Sequence, residues 1–330
     1  MSELHKFLFD GLPVRGMIVR LTDAWKDILQ RRADNTDTGA YPSAVRELLG
    51  EMTAASVLMQ SNIKFNGSLV FQIFGEGPVK VAVAEVQSDF GLRATASVNG
   101  DVPAGATLAQ LVNVDGGGRC AITLDPKDRL PGQQAYQGVV PLNDEEGKGL
   151  NKISLVLQHY MRQSEQLDTC IVLAANDEVA AGLMIQRMPL KGQDNLAGAT
   201  ESSSDEQDAI GANEEYNRIA TLAASLKRDE LLSLDVDTIL RRLFWEEKLL
   251  RFAPQEGENG PHFACTCSRE RVEGMLRNLG QDEVNQVIEE QGRVEVGCDY
   301  CGEQYRFDAV DAAQLFTEIP SQAPGSSSVQ

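Results

Sequence analysis

The chain has 330 residues, 42% of them hydrophobic, enough to bury a true core and to divide into two or three units. Its 49 Asp and Glu outweigh 30 Lys and Arg, and the resulting formal charge of −19 repels phosphate polymers and argues against nucleic acid as a general partner. No apolar run approaches the roughly 18 residues of a membrane-spanning helix, so no membrane partner is expected. Met1 to Gly16 interrupts its apolar residues with Glu3, His5, Lys6 and Asp10, unlike a secretory leader, and the expected compartment is the cytoplasm. Thiols stay reduced there, so clustered cysteines read as metal ligands or redox groups.

Helical spacing of Val45, Leu48, Leu49, Met52, Ala55, Val57 and Met59 predicts a helix over Ser43 to Ile63 that covers a sheet. Short apolar alternation then predicts a meander: Ser68 to Phe74, Val79 to Val86 and Leu92 to Val98, with turns at Gly75 to Pro78 and Ser88 to Gly91. Strands follow at Gly118 to Leu124 and Ala135 to Leu142. A second helix spans Gly149 to Glu165, its apolar face formed by Ile153, Val156, Leu157, Tyr160 and Met161. Strands at Cys170 to Ala174 and Ala181 to Arg187 complete an α+β domain, a mixed sheet with packed helices, over residues 1–190.

Residues 191–213 are rich in Gly, Ala, Asn, Ser, Asp and Glu and read as a flexible acidic linker. Residues 214–254 form a helical linker region, with helices at Glu214 to Lys227 and Val236 to Leu250. The second bears a heavy apolar face of Ile239, Leu240, Leu243, Phe244, Trp245, Leu249 and Leu250 that something must cover: the first domain, the C-terminal module or another protein. Docking on the chain's own sheet is expected at rest. Residues 255–312 read as a small C-terminal zinc module. Ser268 caps a helix over Arg269 to Asn278, a second helix spans Asp282 to Gln291, and a hairpin of Arg293 to Val296 and Gln304 to Phe307 follows. Residues 313–330 are expected to be a disordered tail.

The module holds four of the six cysteines, as Cys265-Thr266-Cys267 and Cys298-Asp299-Tyr300-Cys301. Two short-spaced pairs each supply one edge of a tetrahedral thiolate site, and zinc is the expected ion. So small a segment draws much of its folding free energy from metal, on the order of 10–16 kcal/mol for structural zinc in small modules. The same thiolates react with oxidants, and oxidation within either pair would remove ligands two at a time and release the ion. From spacing alone an inert zinc site and a redox switch both stand.

His262, three residues before Cys265, is read as a bystander, and His5 and His159 as surface or packed residues. Cys120 and Cys170 lie in strand-like runs and are expected to be buried and inert. Arg269, Arg271, Arg277 and Arg293 read as solvated positions offset by Glu270, Glu273, Asp282 and Glu283. Gly116-Gly117-Gly118 lacks the Lys of a phosphate loop, and no catalytic constellation is present, so no enzyme is expected. Two other functions compete with a metal-controlled binding protein: a zinc-ribbon nucleic-acid binder, and a thiol–disulfide oxidoreductase using Cys298 and Cys301.

Cys265-Thr266-Cys267-Ser268-Arg269-Glu270-Arg271 and Cys298-Asp299-Tyr300-Cys301-Gly302, with Tyr305 and Phe307 after them, resemble the redox-regulated holdase chaperones of the heat shock protein 33 family. Three upstream segments agree: Arg15-Gly16, Tyr160-Met161-Arg162-Gln163-Ser164-Glu165-Gln166, and Ala181 to Pro189. The resemblance implies one zinc ion on Cys265, Cys267, Cys298 and Cys301 in a reduced, inactive form in the bacterial cytoplasm. It further implies disulfides pairing Cys265 with Cys267 and Cys298 with Cys301 under oxidative stress, zinc release, and unfolding of the C-terminal region. The oxidised form is then an ATP-independent binder of unfolding client proteins, a homodimer, and a donor of clients to ATP-driven foldase chaperones. The acidic stretch Gly192 to Asn213 is longer than the family's usual connection.

Overall fold

The computed structural model describes residues 1–35, 38–128, 134–188 and 203–317, with 203–213 described as backbone. In chain order it forms β1 (Glu3–Phe9), β2 (Val14–Leu21), α1 (Asp23–Asp34), α2 (Ser43–Asn62), β3 (Gly67–Phe74), β4 (Val79–Gln87), β5 (Gly91–Val98), α3 (Leu108–Val112), β6 (Arg119–Pro126), β7 (Tyr136–Pro141), α4 (Ile153–Gln163), β8 (Thr169–Ala175) and β9 (Ala180–Arg187). There follow α5 (Ser203–Ala224), α6 (Arg228–Ser233), α7 (Val236–Leu243), β10 (Leu249–Arg251), β11 (Gln255–Glu256), β12 (His262–Phe263), α8 (Arg269–Leu279), α9 (Gln281–Gln291), β13 (Val294–Gly297), β14 (Gln304–Phe307) and α10 (Ala309–Phe316). The elements make two compact units, Met1–Ala264 and Cys265–Gln330.

The first unit is built on two sheets. One runs β10-β1-β2-β9-β8, all antiparallel, with β11 also paired to β1; the other runs β12-β5-β4-β3-β6-β7, antiparallel except for the parallel β12–β5 pair. Helix α2 packs against strands of both. Nearly every residue from Ala44 to Gln60 is buried, because a helix apolar on all sides must be enclosed. Its hydroxyls are satisfied internally, Thr53 Oγ1 donating to the Leu49 carbonyl at 2.6 Å and Ser56 Oγ to the Met52 carbonyl at 2.8 Å. At Gly50 an added Cβ would lie 2.4 Å from the Ala175 Cβ and 3.1 Å from the ring of Trp25, so this mid-helix glycine is what lets helix and sheet approach. Trp25 is fully buried and donates its indole N–H to the Asn176 carbonyl at 2.7 Å.

Helices α5, α6 and α7 cover the first sheet. Tyr216, Ile219, Ala223, Leu231, Val236, Ile239, Leu240, Leu243 and Phe244 share a core with Phe7, Phe9, Ile18, Leu183 and Ile185. Phe244 meets the rings of Phe7 and Phe9 at centroid distances of 6.2 and 5.1 Å. Polar ties flank this core: Arg20 donates to the Leu231 carbonyl at 2.8 Å, Arg251 pairs with Asp237 at 2.6 Å, and Arg242 pairs with Glu230. The heavy apolar face is therefore docked on the chain's own sheet.

Several boundaries differ from the sequence reading. Helix α7 stops at Leu243 rather than continuing to Leu250, because Leu249 to Arg251 pair with β1 instead. Trp245 and Leu250 consequently leave the docked face and are exposed. Helix α5 begins at Ser203, inside the stretch read as flexible linker. The earlier part of that linker lies outside the described residues. Residues 255–264, assigned to the zinc module, form β11 and β12, which satisfy edge groups of β1 and β5, and the first unit ends at Ala264. Helix α10 runs to Phe316, into the segment expected to be tail; residues 318–330 lie outside the described residues.

Glu51 of α2 is partly buried, and burial is the main force raising its carboxyl to about 7, opposed by Arg228 of α6 and reinforced by Glu47. The folded-state value lies above the ordinary 4.5, so Glu51 is most compatible with the fold below about 4.5 and costs stability as pH rises through about 7. Glu51→Gln should therefore stabilise the protein by on the order of 2–3 kcal/mol at about pH 8 and by much less at about pH 5, measured by urea denaturation. An equal gain at both pH values would show that Glu51 is ionised throughout.

Candidate metal centre

The second unit has a small core. Leu276, Val284, Val294, Phe307, Ala312 and Leu315 are its buried members, and Phe307 is wholly enclosed beneath the Arg269 guanidinium, 4.3 Å from the ring centroid. Helix α8 is capped by Ser268, whose hydroxyl accepts the Arg271 N–H at 3.3 Å, while Asp308 caps α10 by accepting from Val310 and Asp311. Strands β13 and β14 pair from Val294↔Phe307 to Gly297↔Gln304. These caps and pairings hold the loops that carry the sulfurs.

The first cysteine pair lies in the segment leading into α8. Between Cys265 and Cys267, the Thr266 hydroxyl accepts a 2.7 Å hydrogen bond from the Arg271 guanidinium in the first turn of the helix, which fixes the spacer residue. The second pair forms the turn of the β13–β14 hairpin. The Cys298 N–H donates to the Glu303 carbonyl at 2.9 Å and the Gly302 N–H donates to the Cys298 carbonyl at 2.8 Å. Gly302 has φ of 77°, the left-handed conformation that turns the chain immediately after Cys301. Both thiols of the knuckle are thereby directed to one side of the hairpin, toward the first pair.

All four Sγ atoms lie within 4.8 Å of one another. Cys265 and Cys298 are 3.7 Å apart, and Cys267 and Cys301 3.3 Å. A tetrahedral ion bound by four sulfurs at about 2.3 Å sets neighbouring sulfurs roughly 3.8 Å apart, so the cluster has the size of such a cage. Tyr305 of β14 adds an outer partner, its hydroxyl donating to Cys267 Sγ at 3.2 Å. Burial pushes the Cys298 thiol up, and Cys265 adds to the shift by its charge; burial likewise raises Cys301, helped by contacts with Cys267, Cys298 and Cys265. Four crowded, partly buried sulfurs cannot all be thiolates unless a cation compensates them. The group can hold a metal ion, and the donor set fits a soft divalent one.

The remaining sequence candidates lie elsewhere. His262 is paired with β5 and its Nδ1 contacts the Gly260 carbonyl at 3.0 Å. His5 is buried between Glu3 and Arg251, at 2.8 and 3.2 Å. Cys120 and Cys170 are buried in β6 and β8. The module's arginines are occupied: Arg269 pairs with Asp311 at 3.1 Å, Arg277 with Glu273 at 3.5 Å and Arg293 with Glu295 at 2.7 Å. The Arg271–Thr266 and Tyr305–Cys267 contacts were not readable as such, since only the folded hairpin and the capped helix bring their ends to the sulfurs. Among the described residues, no helix is long and apolar enough to cross a membrane.

Residues 2–308 match the family described as Hsp33 protein. The 33 kDa chaperonin of Chromobacterium violaceum is 45% identical over 96% of this chain and 94% of its own length, and that of Neisseria meningitidis serogroup A is 41% identical over 95% and 91%. The crystal structure of the 33 kDa chaperonin (heat shock protein 33 homolog) of Thermotoga maritima covers 95% of this chain and 97% of its own, with a TM-score of 0.68 at 20% identity, a likeness of fold. By its matched length and its close relatives, the chain that carries this four-sulfur cage belongs to the Hsp33 family.

Proposed function

We propose that the protein is a redox-regulated, ATP-independent chaperone whose resting form holds one zinc ion on Cys265, Cys267, Cys298 and Cys301. The observation that carries this is the convergence of four Sγ atoms within 4.8 Å in a chain of the Hsp33 family, whose relatives bear the name 33 kDa chaperonin. Bound zinc keeps the four sulfurs as thiolates and supplies folding free energy to a unit with six buried core residues.

Oxidation converts each pair, Cys265 with Cys267 and Cys298 with Cys301, into a disulfide. Each pair gives up two electrons; with peroxide as oxidant, its O–O bond breaks and, with two protons, yields two waters. Ligands leave two at a time, and the small core of the second unit then lacks the support it needs. The chain linking this unit to α7 consists of short strands, β10 to β12, held by few residue pairs each, so loosening is readily passed to α5–α7. Release of those helices bares the aromatic and aliphatic side chains of the first sheet, Phe7, Phe9, Ile18, Leu183 and Ile185, to unfolding clients.

The family resemblance supports the remaining parts of the proposal: an oxidised homodimer, transfer of clients to ATP-driven foldases, and residence in the bacterial cytoplasm. Two observations count against the competing readings. Arg269, Arg277 and Arg293 of the module are engaged in ion pairs and Arg271 is bonded to Thr266, which does not suit a nucleic-acid reader. The Cys298 and Cys301 sulfurs each lie against a sulfur of the other pair, Cys265 at 3.7 Å and Cys267 at 3.3 Å, rather than standing apart as an exchanging dithiol.

Following zinc release, thiol count and suppression of client aggregation together during mild oxidation should show all three changing in parallel. Equal suppression by reduced and oxidised protein would overturn the switch. Cys298→Ser should weaken zinc binding and loosen the second unit without oxidant, read by chelator competition and limited proteolysis; unchanged affinity would remove Cys298 from the ligand set. Tyr305→Phe should lower zinc affinity by about tenfold while leaving the β13–β14 hairpin intact.

A further inference from the structure

Three segments singled out in the sequence, Arg15-Gly16, Tyr160 to Gln166 and Ala181 to Pro189, play no part in the sulfur cage. They meet at a cavity of about 110 Å3 in the first unit, lined by Arg15, Tyr160, Met161, Glu165 and Gln186 among others. Its base is rigidly built. Gln186 is fully buried; its amide oxygen accepts from Arg15 Nε at 3.1 Å, from a second Arg15 nitrogen and from Asn62 at 2.6 Å, while its amide nitrogen donates to Thr169 at 2.9 Å. At the rim, Glu165 accepts the hydroxyls of Tyr160 at 2.9 Å and Tyr136 at 3.3 Å.

Arg15 and Glu165 are the charged residues of the lining, and the structure shows no ion pair between them. Arg15 is half-buried, has a neutral amide as its partner, and has no carboxylate partner among the described residues. Burial also lowers Lys6, and the charge of Arg15 lowers it further; the Lys6 ammonium donates to the Ser61 carbonyl at 2.7 Å. Lys6 stands outside the lining and Glu165 is held at the rim by two tyrosine hydroxyls, so the anion-binding group is Arg15, whose guanidinium, held in place by its inner edge, can offer its remaining N–H groups to a carboxylate. The walls, formed by Met59, Leu69, Ile122, Leu124 and Met161, demand an apolar body. A cavity of about 150 Å3 admits benzene, so this volume takes a branched chain of about four carbons.

We propose that this cavity binds a small carboxylate with a short branched apolar body, the carboxylate on Arg15 and the body between Leu69, Ile122, Leu124 and the two methionines. The same chemistry is found in a free branched-chain acid and in the C-terminal leucine of a peptide. The site is independent of the thiols, so its test uses the full reduced, zinc-loaded chain and leaves the chaperone reading untouched.

Ligand-observed NMR and calorimetry with 3-methylbutanoate should show saturable binding at about millimolar concentration, and 3-methylbutanamide, equal in shape but uncharged, should bind at least about tenfold more weakly. Arg15→Gln should weaken 3-methylbutanoate binding by about tenfold or more. Leu124→Phe, which fills the cavity without touching the charge, should abolish it and provides the test if Arg15→Gln fails to fold. N-acetyl-alanyl-leucine distinguishes the sources: binding of both probes assigns the site to chain termini, and binding of the free acid alone assigns it to a small metabolite. No saturation by either probe up to about 20 mM, equal binding of the amide, or binding unchanged by Leu124→Phe would each overturn the proposal.

Discussion

Four partly buried sulfurs crowded within 4.8 Å form an arrangement that holds together as thiolates only around a cation. The second unit is built around that constraint, its hairpin turn and the segment leading into α8 carrying the four sulfurs. Among its described residues, six buried core residues, three helices and one short hairpin are little for a separate folding unit, and below a certain size a metal or disulfide must supplement burial. The first unit has no such need, with α2 enclosed by two sheets and a continuous core reaching through both. Apolar burial is thus unevenly distributed along the chain, the second unit holding the smaller core.

The cover formed by α5–α7 stands between these extremes. Its core with the first sheet is apolar and aromatic at the centre, whereas its flanking ties are ion pairs such as Arg251 with Asp237, exposed enough to contribute little. An interface of that kind resembles a protein–protein contact within one chain. The apolar face of the first sheet is satisfied by the chain's own side chains.

The cysteine site was legible because metal chemistry constrains residue type and spacing directly; two pairs at short spacing announce a cage before any fold is known. The long periodic elements were legible for a similar reason. Helix α2 and strands β3 to β5 express their periods over eight or more residues. Sequence periodicity assigned nothing before Ser43, where β2 is buried on both faces and so shows no alternation, and where His5 sits buried in β1 against the usual habit of histidine. Strands β11 and β12 have two residues each and exist only because sheet edges were there to receive them. Leu249 and Leu250 continued a helical pattern on paper, but pairing to β1 prevailed. Outer contacts of the cage such as Tyr305 to Cys267 depend on hairpin register, which spacing alone does not specify.

The two tryptophans of the chain fall in contrasting settings. Trp25 is sealed against α2 with its N–H bonded to Asn176, while Trp245 stands in solvent just past the end of α7. Emission from the first is therefore blue-shifted and shielded from aqueous quenchers, and emission from the second is red-shifted and quenchable. With either indole replaced by phenylalanine, the protein carries one intrinsic fluorophore that reports on collapse of the two-sheet core, or one that reports on movement of the covering helices, so the two events can be timed separately in the same solution.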